Sequence, residues 1–509
     1  MRKTMKKNYV LTAMAVLFSV IMSASLKAQT PTEWPDLPLL TIKTVDGVMP
    51  TATKVFPPEG CVGEGILSEH VPGRLVMTLK GETLYDSGDY VKGESGVRIK
   101  IRGNSTGANL AQHPYKLKLS KKADLLQLGN EHKSKDFALL SMFTWNTAMK
   151  NNECNILVNT GLALCRSLNF PWTPNTRPVN VVINGKYQGL YHLIETVERA
   201  DTRIKTDKTG FVIENDAYWW KEGETYFRTE HQKANTYMGY TFKYPDGDDI
   251  TEEQLADIKN YMEKVETAVY SNAGASDLID YNSFAHWILA HDILGSYDAA
   301  GSNMFLYKEN GTTEDSKLKM ATLWDFDSAF ASDLDWSRQH YSYLFFYLSL
   351  FQDKNFVRTY LDLYKEKIAA VYPYVENSLK EFKTNYGEAF EKSMELHRTV
   401  YANECKNSLD EQIDEVLTHL NERLAKLQTL TAELEHTTAI EGCVDNSDNR
   451  VVSRTNTFGV DFTGVDVNRL PVGIYIEKRA DSYYYRQRRI YRQGRDHFFD
   501  PAQRYWGRR

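Results

Sequence analysis

Asp298 stands five positions before Asn303, and a strand-like run from Met304 leads on to Asp325-Phe326-Asp327. Carboxylates and a carboxamide at this spacing suit the transfer of a phosphoryl group. Such a reaction needs one carboxylate to orient a hydroxyl and take its proton. It also needs a carboxamide and a second carboxylate to hold Mg²⁺ against the phosphates. Asp298 is the candidate for the first role, and Asn303, Asp325 and Asp327 for the second. Asp327 lies two residues beyond Asp325 and in extended chain shares its face. The plainer alternative has Asp298 capping a turn and the Asp325–Asp327 pair lining a solvated strand end.

The surrounding elements must bring these residues together. Asp280 to Leu294 reads as a helix, rich in Phe284, Trp287, Ile288 and Leu289, that delivers the chain to Asp298 on the next loop. Met304 to Lys308 reads as a strand, Asn310-Gly311 as a hydrophilic turn, and a returning strand ends at Leu323. A hairpin of this kind sets Asn303, at its start, near Asp325, just past its end. Thr251 to Gln254 is a capping box ahead of Leu255, Ile258, Met262, Val265 and Val269 at helical spacing. Phe356 to Tyr372 has helix spacing too. Ser408 to Glu411 caps a further helix, whose stripe from Ile413 to Leu434 suits packing onto the rest of the domain or a coiled coil.

The first part of the chain reads as strands. Leu40 to Val45, Leu75 to Leu79 and Val97 to Ile101 alternate or run apolar over short lengths. Arg102-Gly-Asn-Ser-Thr106 follows, then Pro114 to Leu119, where Tyr115, Leu117 and Leu119 point one way and Lys116 and Lys118 the other. Two lysines on one strand face just after this turn could line a phosphate pocket or form a solvated basic face. Asn184-Gly185 between two hydrophobic runs is a hairpin turn, because both residues tolerate positive φ. Glu195 closes the second of those strands, as a solvated end or as the acidic partner of a phosphate-binding lysine.

At 509 residues the chain exceeds one average core, and its net charge of -6 argues against a nucleic-acid partner. Arg2, Lys3, Lys6 and Lys7 precede an apolar run from Val10 to Met22 and a small-residue region ending at Ala28, the pattern of a signal peptide over residues 1–28. Export to the periplasm, cell surface or exterior is therefore expected, with no membrane span after its removal. The five cysteines are sparse, so no disulfide framework is expected, and Cys154 and Cys165 could pair or stay buried thiols. Past His436 the character changes. Val460 to Val467 and Leu470 to Ile476 look like strands, and the basic, Arg- and Tyr-rich end from Lys478, for which disorder or a shifted reading frame would account, is assigned no function. Leu470 to Ile476 resembles the terminal strand of bacterial secretion-sorting tails.

Several motifs then fall in one order. RGNST at 102–106, PYKLKL at 114–119, VNVVINGKYQGLYHLIE at 179–195, FVIEND at 211–216, Tyr244-Pro-Asp246 and the Asn303-to-Asp327 segment together resemble the CotH kinase family, the spore-coat H type of atypical protein kinase. The resemblance covers about residues 36 to 435 and implies an α+β, two-lobed, kinase-like fold. It places a β-rich lobe at about 36–200, a mainly helical lobe at about 205–435, and a tail at 436–509. It also implies ATP and Mg²⁺ as cofactors and a protein with a Ser or Thr acceptor as substrate. Asp298 would be catalytic. Arg102, Asn104, Ser105, Lys116, Lys118 and Glu195 would bind the nucleotide, Lys118 ahead of Lys116 as the lysine paired with Glu195. Asn303 and Asp325 would bind metal, with Asp327 secondary.

The chain departs from the family pattern in four places. Gly107 stands where Trp is frequent, Gln112-His113 where two lysines are, Lys150-Asn151 where Arg-Asn is, and Gly295-Ser-Tyr-Asp298 replaces Gly-Asn-x-Asp. With little ATP outside the cytoplasm, a catalytically silent surface-binding or adhesion protein on the same fold is the alternative. A glycosidase with paired carboxylates has less support, since nothing marks an acid opposite Asp325 and Asp327.

Overall fold

A computed structural model describes residues 33–143, 156–221, 223, 225–296, 302–330 and 346–443, together with strands at 451–456, 473–479 and 483–488. The chain divides into two compact units, Met1–Gln428 and Thr429–Arg509.

The first unit opens with β1 (Leu39–Thr44), then β2 (Thr53–Val55) and β3 (Gly65–Leu67), which pair only with each other. There follow β4 (Val71–Leu79), β5 (Glu82–Asp86), β6 (Val97–Ile101), the short helix α1 (Ser105–Asn109), β7 (Tyr115–Ala123) and β8 (Ser134–Ser141). Helix α2 (Leu157–Ser167), β9 (Thr176–Ile183) and β10 (Lys186–Glu195) complete this part. The strand order is β1-β9-β10-β8-β7-β6-β4, and β1 pairs with β4 as well as β9, so the sheet closes into a barrel. Closure requires distant pairing: β1 runs parallel to β9, with Leu40 opposite Val181.

Alternation sorts the barrel's side chains. Ile42, Leu75, Ile99, Leu117, Phe137 and Val181 point inward and form one apolar cluster, each contributing roughly 1.5–3 kcal/mol by leaving water. The intervening residues of β6 and β7, Arg98, Lys100, Lys116 and Lys118, point outward, where their charges stay hydrated.

The remainder is not purely helical. A five-stranded sheet is built from β11 (Phe211–Asp216), β12 (Tyr226–Phe227), β13 (Gly239–Tyr244), β14 (Met304–Lys308) and β15 (Lys319–Met320). The second half is mainly helical, as expected, but it also carries this sheet. FVIEND and the Met304 strand lie side by side, Asn215 against Met304, and carry the others with them. Around the sheet are α3 (Glu230–Asn235), α4 (Glu252–Tyr270), α5 (Ala275–Leu278), α6 (Tyr281–Leu294) and α7 (Tyr347–Leu350). Then come α8 (Lys354–Arg398) and α9 (Leu409–Cys443). The Thr251–Gln254 capping box forms with both of its bonds.

Helix α8 continues through Pro373 to Arg398, well past the expected end at Tyr372. It packs on α2, α6 and β10. His397, near its end, accepts a hydrogen bond at Nδ1 from the Leu190 N–H at 3.1 Å, and Ser393 accepts one from Asn180 at 2.9 Å.

In the second unit β16 (Val451–Asn456), β17 (Gly473–Arg479) and β18 (Tyr483–Arg488) form an antiparallel sheet. β17 takes in part of the Leu470–Ile476 run, and β18, in the Arg- and Tyr-rich end, pairs along it. Val460 to Val467 and the signal-peptide segment lie outside the described residues.

Candidate functional site

Two stretches far apart in sequence meet where the chemistry is expected. Arg102 follows directly on β6, and its N–H donates to the Pro114 carbonyl at 3.0 Å, extending the β6–β7 ladder by a step. Its guanidinium lies 5.6 Å from the centroid of the Trp324 ring. Burial pushes this guanidinium's pKa down, and the neighbouring charges of Asp325 and Glu214 oppose that. The same burial pushes the Asp325 carboxyl up, while Arg102 and the N–H groups of Asp327 and Phe326 hold it down. The RGNST turn and the Asp-Phe-Asp segment are thus electrostatic partners.

The β14–β15 hairpin forms as the sequence implies. Leu306 opposes Met320, and Tyr307 opposes Lys319. Extending this register sets Asn303 across from Leu323, two residues short of Asp325. Both candidate metal ligands have left-handed backbone, with φ of 62° at Asn303 and 68° at Asp325. That conformation costs a non-glycine residue about 1 kcal/mol or more and persists only where surrounding structure imposes it.

Helix α2 does part of the imposing. Phe326 is buried against Gly161, where an added Cβ would stand 2.0 Å from the ring, so only glycine admits this contact. Cys165, one turn on, is a buried free thiol whose side chain bonds with Thr322, and burial pushes it up to about 12. It is therefore a packing residue here; Cys154 lies outside the described residues. With Phe326 anchored inward, Asp325 and Asp327 take the two flanking positions.

Continuing the β11–β14 register from Asn215 and Met304 by one step places Asp216 across from Asn303. Its carboxylate accepts from the Tyr218 N–H at 2.8 Å and the Ser302 hydroxyl at 3.4 Å. Burial and the nearby Glu214 push it to about 7. Glu214 itself is paired with Lys243 at 2.9 Å. Neither acid was a sequence candidate. The available signal was their i, i+2 spacing at the end of an apolar strand, which puts both on one face.

The lysines stand elsewhere than the Lys–Glu pairing required. Glu195, Phe137 and Leu117 share one row across β10, β8 and β7, and that row faces the barrel interior. Lys116 and Lys118 face outward, so neither reaches Glu195. Glu195 instead lies 3.5 Å from buried Arg203 and accepts two bonds from Asn175 at 2.9 Å. The acid beside Lys116 is Asp136, at 3.7 Å. Lys118 opposes Arg98 and Asp136 in the ladder, whereas Lys116 opposes Lys100, one row nearer Arg102. Cations dominate this face. Together with burial, Lys100, Arg98, Lys116 and Lys118 drive the neighbouring His70 down to about 3.

Asn104 precedes α1 without capping it, and its Oδ1 is buried with no hydrogen-bond partner; Ser105 is the helix's first residue. Two departures noted in the sequence are structural. A Cβ on Gly107 would meet Ile66 at 2.5 Å, so a Trp does not fit. Gln112 is buried, donating to the Leu190 carbonyl at 2.7 Å and accepting from the Met142 N–H at 2.8 Å. Asp298 and Lys150-Asn151 lie outside the described residues. Gly295 caps the end of α6 with φ 63°, the left-handed conformation that glycine takes without strain.

Among the described residues no group of three His, Cys, Asp or Glu side chains could hold a metal ion. Asn303, just before the hairpin, and Asp325, just past its end, both carry hard oxygen donors, the ligand type Mg²⁺ takes together with phosphate oxygens and water. Among the described residues no helix is long and apolar enough to cross a membrane.

A comparison with curated proteins finds none that matches. The family model described as CotH kinase protein matches residues 99–427, well over half of the chain and including every candidate residue above. The chain belongs to the CotH family.

Proposed function

We propose that this protein is an exported CotH-type kinase that transfers a phosphoryl group from ATP to a Ser or Thr hydroxyl of a protein substrate. The observation that carries this reading is the meeting of Arg102 with Trp324 and Asp325. It joins an anion-seeking guanidinium from the barrel to a hard-oxygen segment from the hairpin, the two halves that phosphoryl transfer needs. We read the barrel and the α-helical remainder as the two lobes of a kinase-like arrangement.

In this reading Arg102 holds phosphate oxygens, and Lys116 acts with it, oriented by Asp136. Lys116 takes precedence over Lys118 because it lies a row nearer Arg102. Asn303 and Asp325 would hold Mg²⁺, with Asp327 secondary. Bound there, the ion would neutralise charge on the phosphates. Asp298 orients the acceptor hydroxyl and takes its proton. Asn104 and Ser105 border the nucleotide, and Glu195 holds Arg203 and the barrel end instead of touching it.

Incubating the mature protein with labelled ATP, with and without Mg²⁺, beside Asp298→Ala tests this. Mg²⁺-dependent labelling of a protein acceptor that disappears in Asp298→Ala is expected. Failure of the wild type to bind ATP would defeat the kinase reading. Labelling that persists in Asp298→Ala would remove that residue from the chemistry.

A further inference from the structure

The ribbon of β2 and β3 lies before residue 99, outside the family match, yet it reaches into the site. Its backbone joins no strand of the barrel. It is held at two places instead. On one side Lys54 donates to Asn109 of α1 at 2.7 Å, and Ile66 fills the space over Gly107. On the other, Trp220 donates to the Val62 carbonyl at 3.4 Å and Lys221 to the Ile66 carbonyl at 3.2 Å. Val62 also packs with Ala217, Met238 and Tyr218.

The connection between the two strands, Gly60-Cys-Val-Gly-Glu-Gly65, has glycine where it touches the other side. A Cβ on Gly63, whose φ is +81°, would stand 2.7 Å from the Tyr218 ring. One on Gly65 would stand 2.8 Å from Lys221 and 3.5 Å from Asn104 Oδ1. Asn104 Oδ1, beneath this segment, is buried and unpartnered. A buried carboxamide without a partner is costly, and it can present either its oxygen or its nitrogen by rotation. Directly beyond Tyr218 lies Asp216, whose carboxylate faces Ser302.

We propose that Gly60–Ile66 is a strap that seats on Asn104 and the Tyr218–Lys221 turn and encloses the ribose–phosphate part of a bound nucleotide, whose polar groups partner Asn104. This rests on the kinase reading and adds to it a binding element that the family match does not include. Two independent anchors and a glycine-bearing middle let the strap lift from one side while held at the other. The contact at Gly63 is the one that positions it against the turn.

The test compares wild type, Gly63→Ala and Gly63→Ala/Tyr218→Ala, none of which alters a residue assigned to phosphate, metal or acceptor. ATP with Mg²⁺ is the probe, by calorimetry, and hydrogen exchange of residues 53–67 is followed with and without it. Wild type should gain protection across the ribbon on binding. Gly63→Ala should bind ATP about tenfold more weakly with its far-UV circular dichroism intact, and the double variant, which removes the ring contact but keeps the strain of alanine at φ +81°, should recover part of that loss. Equal affinity in all three, or ribbon exchange unchanged by ATP in the wild type, overturns the strap while leaving the kinase reading in place. If Gly63→Ala does not fold, the wild-type exchange decides alone. Absence of ATP binding by the wild type overturns both.

Discussion

The outer face of β6 and β7 and the end of the β11–β14 sheet both gather charge, but under opposite conditions. On the barrel, Arg98, Lys100, Lys116 and Lys118 alternate with core residues and keep their charged ends in or near water. Asp216, at the end of the second sheet, and Asp325, past its last strand, stand where burial raises both. Cations with long stems can pack their methylenes and leave the charge hydrated, while short carboxylates lose their water with the backbone that carries them. Arg102 is the exception that joins the two regions, a barrel cation drawn inward by the acids of the other. The difference teaches that long basic side chains keep their charge available at the surface, whereas short buried carboxylates keep theirs only where a counter-charge such as Arg102 opposes burial.

The largest effect is expected from breaking the acidic side. Asp325→Asn keeps the shape and removes the charge, and phosphate transfer should fall by about a thousandfold with unchanged far-UV circular dichroism. Arg102→Ala removes the link. It should destabilise the fold by roughly 3 kcal/mol in urea titration, since Asp325 would lose its counter-charge. It should also move the acidic limb of the rate–pH profile to higher pH, because only the N–H groups of Asp327 and Phe326 would then oppose burial at Asp325.

The basic side is sharpened by comparing its two lysines. Lys116→Ala should raise the KM for ATP by about tenfold, and Lys118→Ala by less than about threefold. Equal effects would show that distance from Arg102 along the face does not matter.

Glu266 supplies a control for burial acting without a nearby cation. It accepts from the Tyr240 hydroxyl at 3.0 Å, and burial raises it from 4.5 to about 7. The native state then holds this proton more tightly than the unfolded chain. Stability is therefore lost as pH rises from about 4.5 to about 7, and is level above that. Glu266→Gln should remove this slope, a gain on the order of 3 kcal/mol at pH 8, read from urea midpoints at several pH values.

Local chemistry made much of this legible from sequence. Asn184 and Gly185 adopt φ of 50° and 74°, as their hairpin position demands. Ser408 and Glu411 exchange capping bonds at 3.2 and 2.7 Å. The Met304 hairpin depends only on neighbours in the chain. Barrel closure was not legible, because β1 and β9 meet across more than a hundred residues and nothing in either names the other. That omission misplaced Glu195. A strand's own alternation says which residues share a face, but only closure says which face is inside. Asp216 was passed over for a similar reason: its importance comes from lying opposite Asn303, a relation held in the sheet. Helix spacing was read only from Phe356 to Tyr372, whereas α8 runs on through Pro373 to Arg398, held by packing on α2, α6 and β10.

That helix has a mechanical consequence. With 45 residues it measures about 68 Å. Near its beginning, Tyr360 grips Asp292 of α6 at 2.8 Å, six positions ahead of Asp298. Near its end, His397 and Ser393 grip β10 and β9. It is a tie-rod from the barrel wall to the helix that feeds the candidate catalytic loop. Pro373, unable to donate a backbone hydrogen bond, is its natural flexure between the two grips.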